Sequence, residues 1–157
     1  GQATVIISNS AGIFSTGTIQ IGRVMPGVFS ADATGRGFAA GQVQRANGAT
    51  AAFEQMVRFD TTQNKFIGIP IDLGLATDRV YLVLYGTGLR FRSALTAVKA
   101  TVGGVATEIA YAGTQKDFVG LDQVNILLPR TLIGRGEADV VLTVDGQVAN
   151  TVRVNIK

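Results

Sequence analysis

The residues that could do chemistry are few, and their spacing suits none of the common kinds. The 157 residues include no histidine and no cysteine. A triad therefore lacks its base, and disulfides and thiolate sites are excluded. No serine stands in a Gly-x-Ser-x-Gly elbow. Tyr85-Gly86-Thr87-Gly88 follows an apolar run, but a dinucleotide fingerprint needs three spaced glycines opening a helix. Leu89-Arg90-Phe91-Arg92 comes next and opens none. These glycines are expected to supply positive φ or a bulge at a sheet corner, and "GRGFAAG" at Gly35 fails in the same way. Zinc would have only carboxylates to bind it. Asp117, Asp122 and Asn125 flank "DFVGLDQVN", and Glu137 shares a strand face with Asp139. Neither group has the Asp-x-Asp-x-Asp, Gly and distal Glu of a calcium loop, so both are expected to be rim carboxylates. The expectation is a non-enzyme with no cofactor and no metal.

Two binding chemistries remain to be weighed. Gln123 and Asn125 alternate with Val124 and Ile126, so they share the face opposite the apolar one. They are expected to hydrogen-bond a neighbouring loop and fix the corner before Pro129. A glycan needs exposed aromatic platforms, and the chain offers no Trp, three Tyr and eight Phe. Tyr81 and Tyr85 share a strand face, where either suits a core. The loop carrying Tyr111, Asp117 and Phe118 is the best candidate for a ligand. The net charge is +3, but the 14 Lys and Arg are scattered, densest at Arg90 and Arg92. A nucleic-acid surface would gather them on one face, so no nucleic-acid partner is expected.

The elements that must position these residues have a period of two. "TVIIS", "GTIQIG", "EQMVRFD", "NKFIGIPID", "VYLVLYG", "TAVKATVGG", "TEIAYAG", "QVNILLP", "DVVLTVDG" and "NTVRVNI" are short β-branched and aromatic runs closed by turn formers. Asp145-Gly146 and Gly103-Gly104 each sit between two such runs, a strong hairpin signal. Residues 37–57 contain helix-favouring alanines, but Gly41 and Gly48 interrupt them, predicting strand, turn, strand. "LIGRG" near Leu132 supports one helical turn at most. The chain is therefore expected to be an all-β, antiparallel sandwich. Its core should include Val83, Ile126, Val140, Leu142, Val152 and Val154. No apolar run approaches the ~20 residues of a membrane helix, so no membrane insertion is expected.

The two ends of the chain carry one pattern. Setting Gly1 on Gly136 aligns Ala3 with Ala138, Val5 with Val140, Ile7 with Leu142, Thr16 with Thr151, Ile19 with Val154 and Ile21 with Ile156. Apolar parity is kept through both strands, so the same face is due for burial in each.

"LVLYGTGL", "VGGVATEIAYAG", "FVGLDQVNILLP" and "VVLTVDGQVANTVRVNI" resemble the uncharacterised C-terminal domain of Solibacter-type acidobacterial secreted proteins. That family is related to the immunoglobulin-like IPT/TIG modules. "MPGVFSADATGRGFAAGQV", with Pro26, Gly27 and Phe29, is similar to the segment leading into such a domain, which in the family follows the last hairpin of a preceding module. The resemblance implies an immunoglobulin-like sandwich, export with the signal peptide already removed, and life at the cell surface or outside it. It implies no catalytic residues.

Three segments are expected: an extra N-terminal hairpin (1–25), a lead-in β segment packed on the main domain (26–71) and the sandwich (72–157). The hairpin carries Val5, Ile7, Phe14, Ile19 and Ile21 and has three possible homes. It can extend the sheet of residues 37–71, be the remainder of an upstream module, or dock on a neighbouring copy or β-module by strand addition. The last predicts self-association head to tail, with a structural, non-catalytic function. An adhesion module binding glycan at Tyr111, Asp117 and Phe118 is the alternative.

Overall fold

The computed structural model describes residues 1–47 and 50–157. Strands take 57% of the chain and helix 4%, which makes the protein all-β. Each of the ten apolar runs becomes strand. β1 (Gln2–Asn9) and β2 (Gly12–Gln20) form a separate two-stranded sheet. β3 is Gly27–Val28, β4 Gly41–Asn47, β5 Thr50–Gln55, β6 Val57–Asp60 and β7 Lys65–Gly68. β8 (Arg79–Thr87), β9 (Val98–Val102), β10 (Val105–Thr114) and β11 (Asp122–Leu127) follow. β12 (Gly136–Val144), β13 (Gln147–Val148) and β14 (Val152–Ile156) end the chain. The turn expected at Gly48 lies outside the described residues, and the flanking strands β4 and β5 pair as expected. Near Leu132 there is one 3-10 turn, Arg130–Leu132.

The main sheet runs β13-β12-β9-β10-β11-β8-β4-β5, with β14 on β12 and β3 on β8. It doubles over at β10. Val105–Thr107 pair with β9, whereas Glu108–Thr114 pair with β11 across a register shift between Ile109 and Tyr111. A bulge bends and twists a strand, so β10 serves both layers of the sandwich. Ala100, Val102, Val140, Leu142, Val152 and Val154 fill the core from one layer. Val43, Leu82, Leu84, Val124 and Ile126 meet them from the other.

All six expected core residues are buried. Val83 is buried on the other face of β8, outside the central cluster, with Gln42 and Asn125 beside it across the sheet. A central strand flanked on both sides hides even its outer residues. Tyr81 and Tyr85 lie on that outer face, half-buried.

The turns follow the sequence signals. Gly103 and Gly104 have φ of 54° and 80°, and Asp145 and Gly146 have 48° and 81°. Both central residues are positive, as a two-residue hairpin of this twist requires. Gly86 and Gly88 are a corner. A Cβ on Gly86 would overlap the Gly27 carbonyl oxygen, and one on Gly88, at φ +76°, would overlap that of Met25.

Surface carboxylates add a pH dependence. The Ser30 hydroxyl, with help from Thr34, holds Asp32 below the usual carboxylate range, Lys157 does so for Asp72, and Ser93 for Asp145. A folded pKa below the unfolded value of about 3.9 gives stability that is full above that pH and lost as pH falls through the folded value. The melting temperature should therefore drop below about pH 4. Asp145→Asn, read by calorimetry from pH 6 to 2, should flatten that drop. An unchanged acid slope would remove Asp145 from the account.

Candidate functional site

The ligand candidates are placed one by one. The Tyr111 hydroxyl donates to the Thr114 carbonyl at 2.6 Å, so its polar tip is spent on its own loop. Asp117 bonds Gln115, while Phe118 and Val119 stand exposed beside it. Gln123 and Asn125 bond each other, Nε2 to Oδ1 at 2.7 Å, rather than a neighbouring loop. Residues two apart on one strand face are close enough for short amides to pair directly. Asp122 is not a rim carboxylate: it is fully buried. Its Oδ1 accepts from Arg90 Nε at 2.7 Å, and its Oδ2 accepts from the N–H groups of Leu89 and Arg90 at 2.8 and 3.2 Å. Among the described residues no three His, Cys, Asp or Glu side chains gather as metal ligands.

A cleft of about 580 Å³ lies between β6–β7 and β14. Phe38, Phe59, Phe66, Lys65 and Arg153 line it. Phe59 and Phe66 meet there edge to face at 5.2 Å.

The feature that packing leaves unexplained is the β1–β2 hairpin. Cross-strand pairs put Ala3 opposite Ile19, Val5 opposite Gly17 and Ile7 opposite Ser15 on one face. Gln2 with Gln20, Thr4 with Thr18 and Ile6 with Thr16 occupy the other. One face is thus apolar and the other, apart from Ile6, polar. Among the described residues nothing covers the apolar face. Val5, Ile7, Ile19 and Ile21 are 41–55% exposed and Phe14 67%. None of them belongs to the core cluster of the sandwich.

The terminal hairpin β12–β14 shows the same design with its face covered. The correspondence runs without a gap from Gly1 and Gly136 to Ile21 and Ile156. Its pairing is preserved at both ends, while Ile6↔Thr16 and Ile7↔Ser15 have no ladder counterpart between β13 and β14. Ala3↔Ile19 matches Ala138↔Val154, Thr4↔Thr18 matches Asp139↔Arg153, and Val5↔Gly17 matches Val140↔Val152. Ser8↔Ile13 and Asn9↔Gly12 match Thr143↔Val148 and Val144↔Gln147, so the turns agree in register, although positive φ falls at Gly12 in one and at Asp145 and Gly146 in the other. Reciprocal bonds join Gly1 to Ile21, the pair corresponding to Gly136↔Ile156. In the sandwich, Ala138, Val140, Leu142, Val152, Val154 and Ile156 are all buried. Their counterparts in β1–β2 are the open apolar face.

Two side chains that sequence reasoning passed over, and Asp122, which it set on the rim, hold the sandwich's loops. Asn150 accepts from the Val28 N–H at 2.8 Å and donates to the carbonyls of Val28 and Gly35 at 2.8 and 2.7 Å. Arg130 donates to the carbonyls of Leu73, Gly74 and Leu75. Asp122 gathers the 89–90 turn as above. All act on backbone distant in sequence, so no local pattern marks them.

Comparison with protein-family models, curated proteins and solved structures finds no match to this chain. Among the described residues no helix is long and apolar enough to cross a membrane.

Proposed function

We propose that this protein is a non-catalytic structural module that joins like β-modules head to tail, its N-terminal hairpin being the joint. One observation carries this reading: the hairpin presents the apolar face of a sandwich hairpin with no sandwich behind it. An isolated two-stranded hairpin is marginal in water, and exposed contiguous apolar surface marks an interaction site. The joined surfaces differ from each other, so the contact is heterologous and propagates as an open line unless rotation closes a ring. The resemblance of residues 80–157 to domains of secreted proteins supports an exported, immunoglobulin-like module of a surface array.

The hairpin lies outside the core cluster, so its face can be altered without unfolding the sandwich. In sedimentation velocity across a concentration series, the full chain should associate. Ile19→Asp with Ile21→Asp should leave it monomeric with an unchanged melting temperature. A wild-type chain that stays monomeric, with Ile19 and Ile21 protected on its own sheet, would overturn the reading.

A further inference from the structure

We infer that Gly1–Ile21 is the closing hairpin of a second β-sandwich of this same design, whose place for β12–β14 is open. This rests on the reading that the hairpin is a joint, and it names the surface the hairpin joins. The argument comes from what covers β12–β14 here. Through its edge away from β14, β12 pairs with β9: Val140 with Val102, Leu142 with Ala100, Val144 with Val98. The other edge of the hairpin is held by isolated bridges from Phe38 to Arg153 and from Ile71 to Ile156. The apolar face closes on the opposite layer.

Transferring the match places each residue of β1–β2. Val5, Ile7 and Asn9 would pair with the host's counterparts of Val102, Ala100 and Val98. Ala3, Val5, Ile7, Ile19 and Ile21 would fill the positions of Ala138, Val140, Leu142, Val154 and Ile156. At buried positions the differences are Asn9 for Val144, Phe14 for Ala149 and Gly17 for Val152: one polar for apolar, one larger and one smaller. In a copy of this chain β12–β14 already fills that place, so two copies associate only where the incoming hairpin displaces it.

A second observation fixes where the host sits. The chain leaves the hairpin at Gly22, and Met25 N–H bonds the Gly88 carbonyl. Thr87 reaches Gly120, and Arg90 reaches Leu121, so three segments meet at this end of the sandwich. Met25, Phe91, Phe118 and Val119 project there with 61%, 64%, 67% and 106% exposure. A module closed by the hairpin would stand over this apolar rim.

The test is a tandem in which residues 1–135 run directly into a complete chain, 1–157. The middle hairpin then follows Arg135, where Gly136 normally begins. Both sandwiches should fold, and the middle-hairpin amides should exchange about a thousandfold or more slowly than those of the free first hairpin. Ile7→Asp in the middle hairpin should unfold the upstream sandwich, whereas Ile7→Asp in the first hairpin should not. A second tandem carries Asn9→Val, Phe14→Ala and Gly17→Val in the middle hairpin, matching Val144, Ala149 and Val152. If the upstream sandwich is unfolded in both tandems, the inference is overturned. If association of the single chain is still lost with Ile19→Asp and Ile21→Asp, the hairpin is a joint to another surface and only the inference falls. If association also ignores those changes, both readings fall.

Discussion

Asp122→Ala should destabilise the sandwich by about 3–5 kcal/mol, the usual cost of breaking a buried ion pair from one side. The carboxylate is fully buried and takes one bond from the Arg90 guanidinium and two from backbone N–H groups. Truncation leaves the Leu89 N–H buried without its acceptor and the arginine without its counter-charge. Arg90 keeps 27% of its side chain in solvent, and water relieves part of that penalty, which favours the lower end of the range. Asp122→Asn keeps an acceptor but not the charge, so it should cost less, about 1.5–3 kcal/mol. Urea unfolding monitored by circular dichroism measures both. A loss under about 1 kcal/mol for the alanine variant would mean that water or another donor set replaces the carboxylate.

The second large effect comes as a matched pair. Leu142 and Ile7 hold the same position in the two hairpins, yet Leu142 is 0% exposed and Ile7 50%. Leu142→Ala should cost about 2–5 kcal/mol, the transfer of the lost methyls plus the cavity they leave. Ile7→Ala in the single chain should stay within about 0.5 kcal/mol, as surface changes do. The same comparison made in the tandem should bring the middle-hairpin Ile7→Ala up toward the Leu142 value. Equal and small effects of both substitutions in the single chain would put Leu142 on the outside and shift the register of β12 by one.

Much of the architecture was legible because strand patterns act locally. Alternation picked out Val140, Leu142, Val152 and Val154 as core, since a period of two fixes which face is buried. Asp145-Gly146 named its own turn. What stayed hidden depends on partners distant in sequence. Asp122 reads like any polar residue at a turn, and only Leu89 and Arg90, 33 and 32 residues away, make it a buried anchor. Asn150 belongs to the same class, its partners Val28 and Gly35 lying 122 and 115 residues off. The bend at β10 was hidden for another reason: a bulge leaves no composition of its own, and "TEIAYAG" reads as one even strand. The repeat was legible as alignment, but its meaning was not. That required seeing one copy covered and the other bare.

The position of β12 has a consequence for how such a chain comes to be folded. β12 lies between β9 and β14, so one layer of the sandwich lacks a middle strand until residues 136–156 exist. During synthesis Val98–Val102 would wait with an unpaired edge and an unfilled core, at about 5–20 residues per second. Its contacts are long-range, and long-range pairing is the slow kind. In an array built on hairpins of this design, each module would be sealed by the leading residues of the next. Completion of one unit would then time the closing of the one before it, and a stalled ribosome would leave one open edge rather than many.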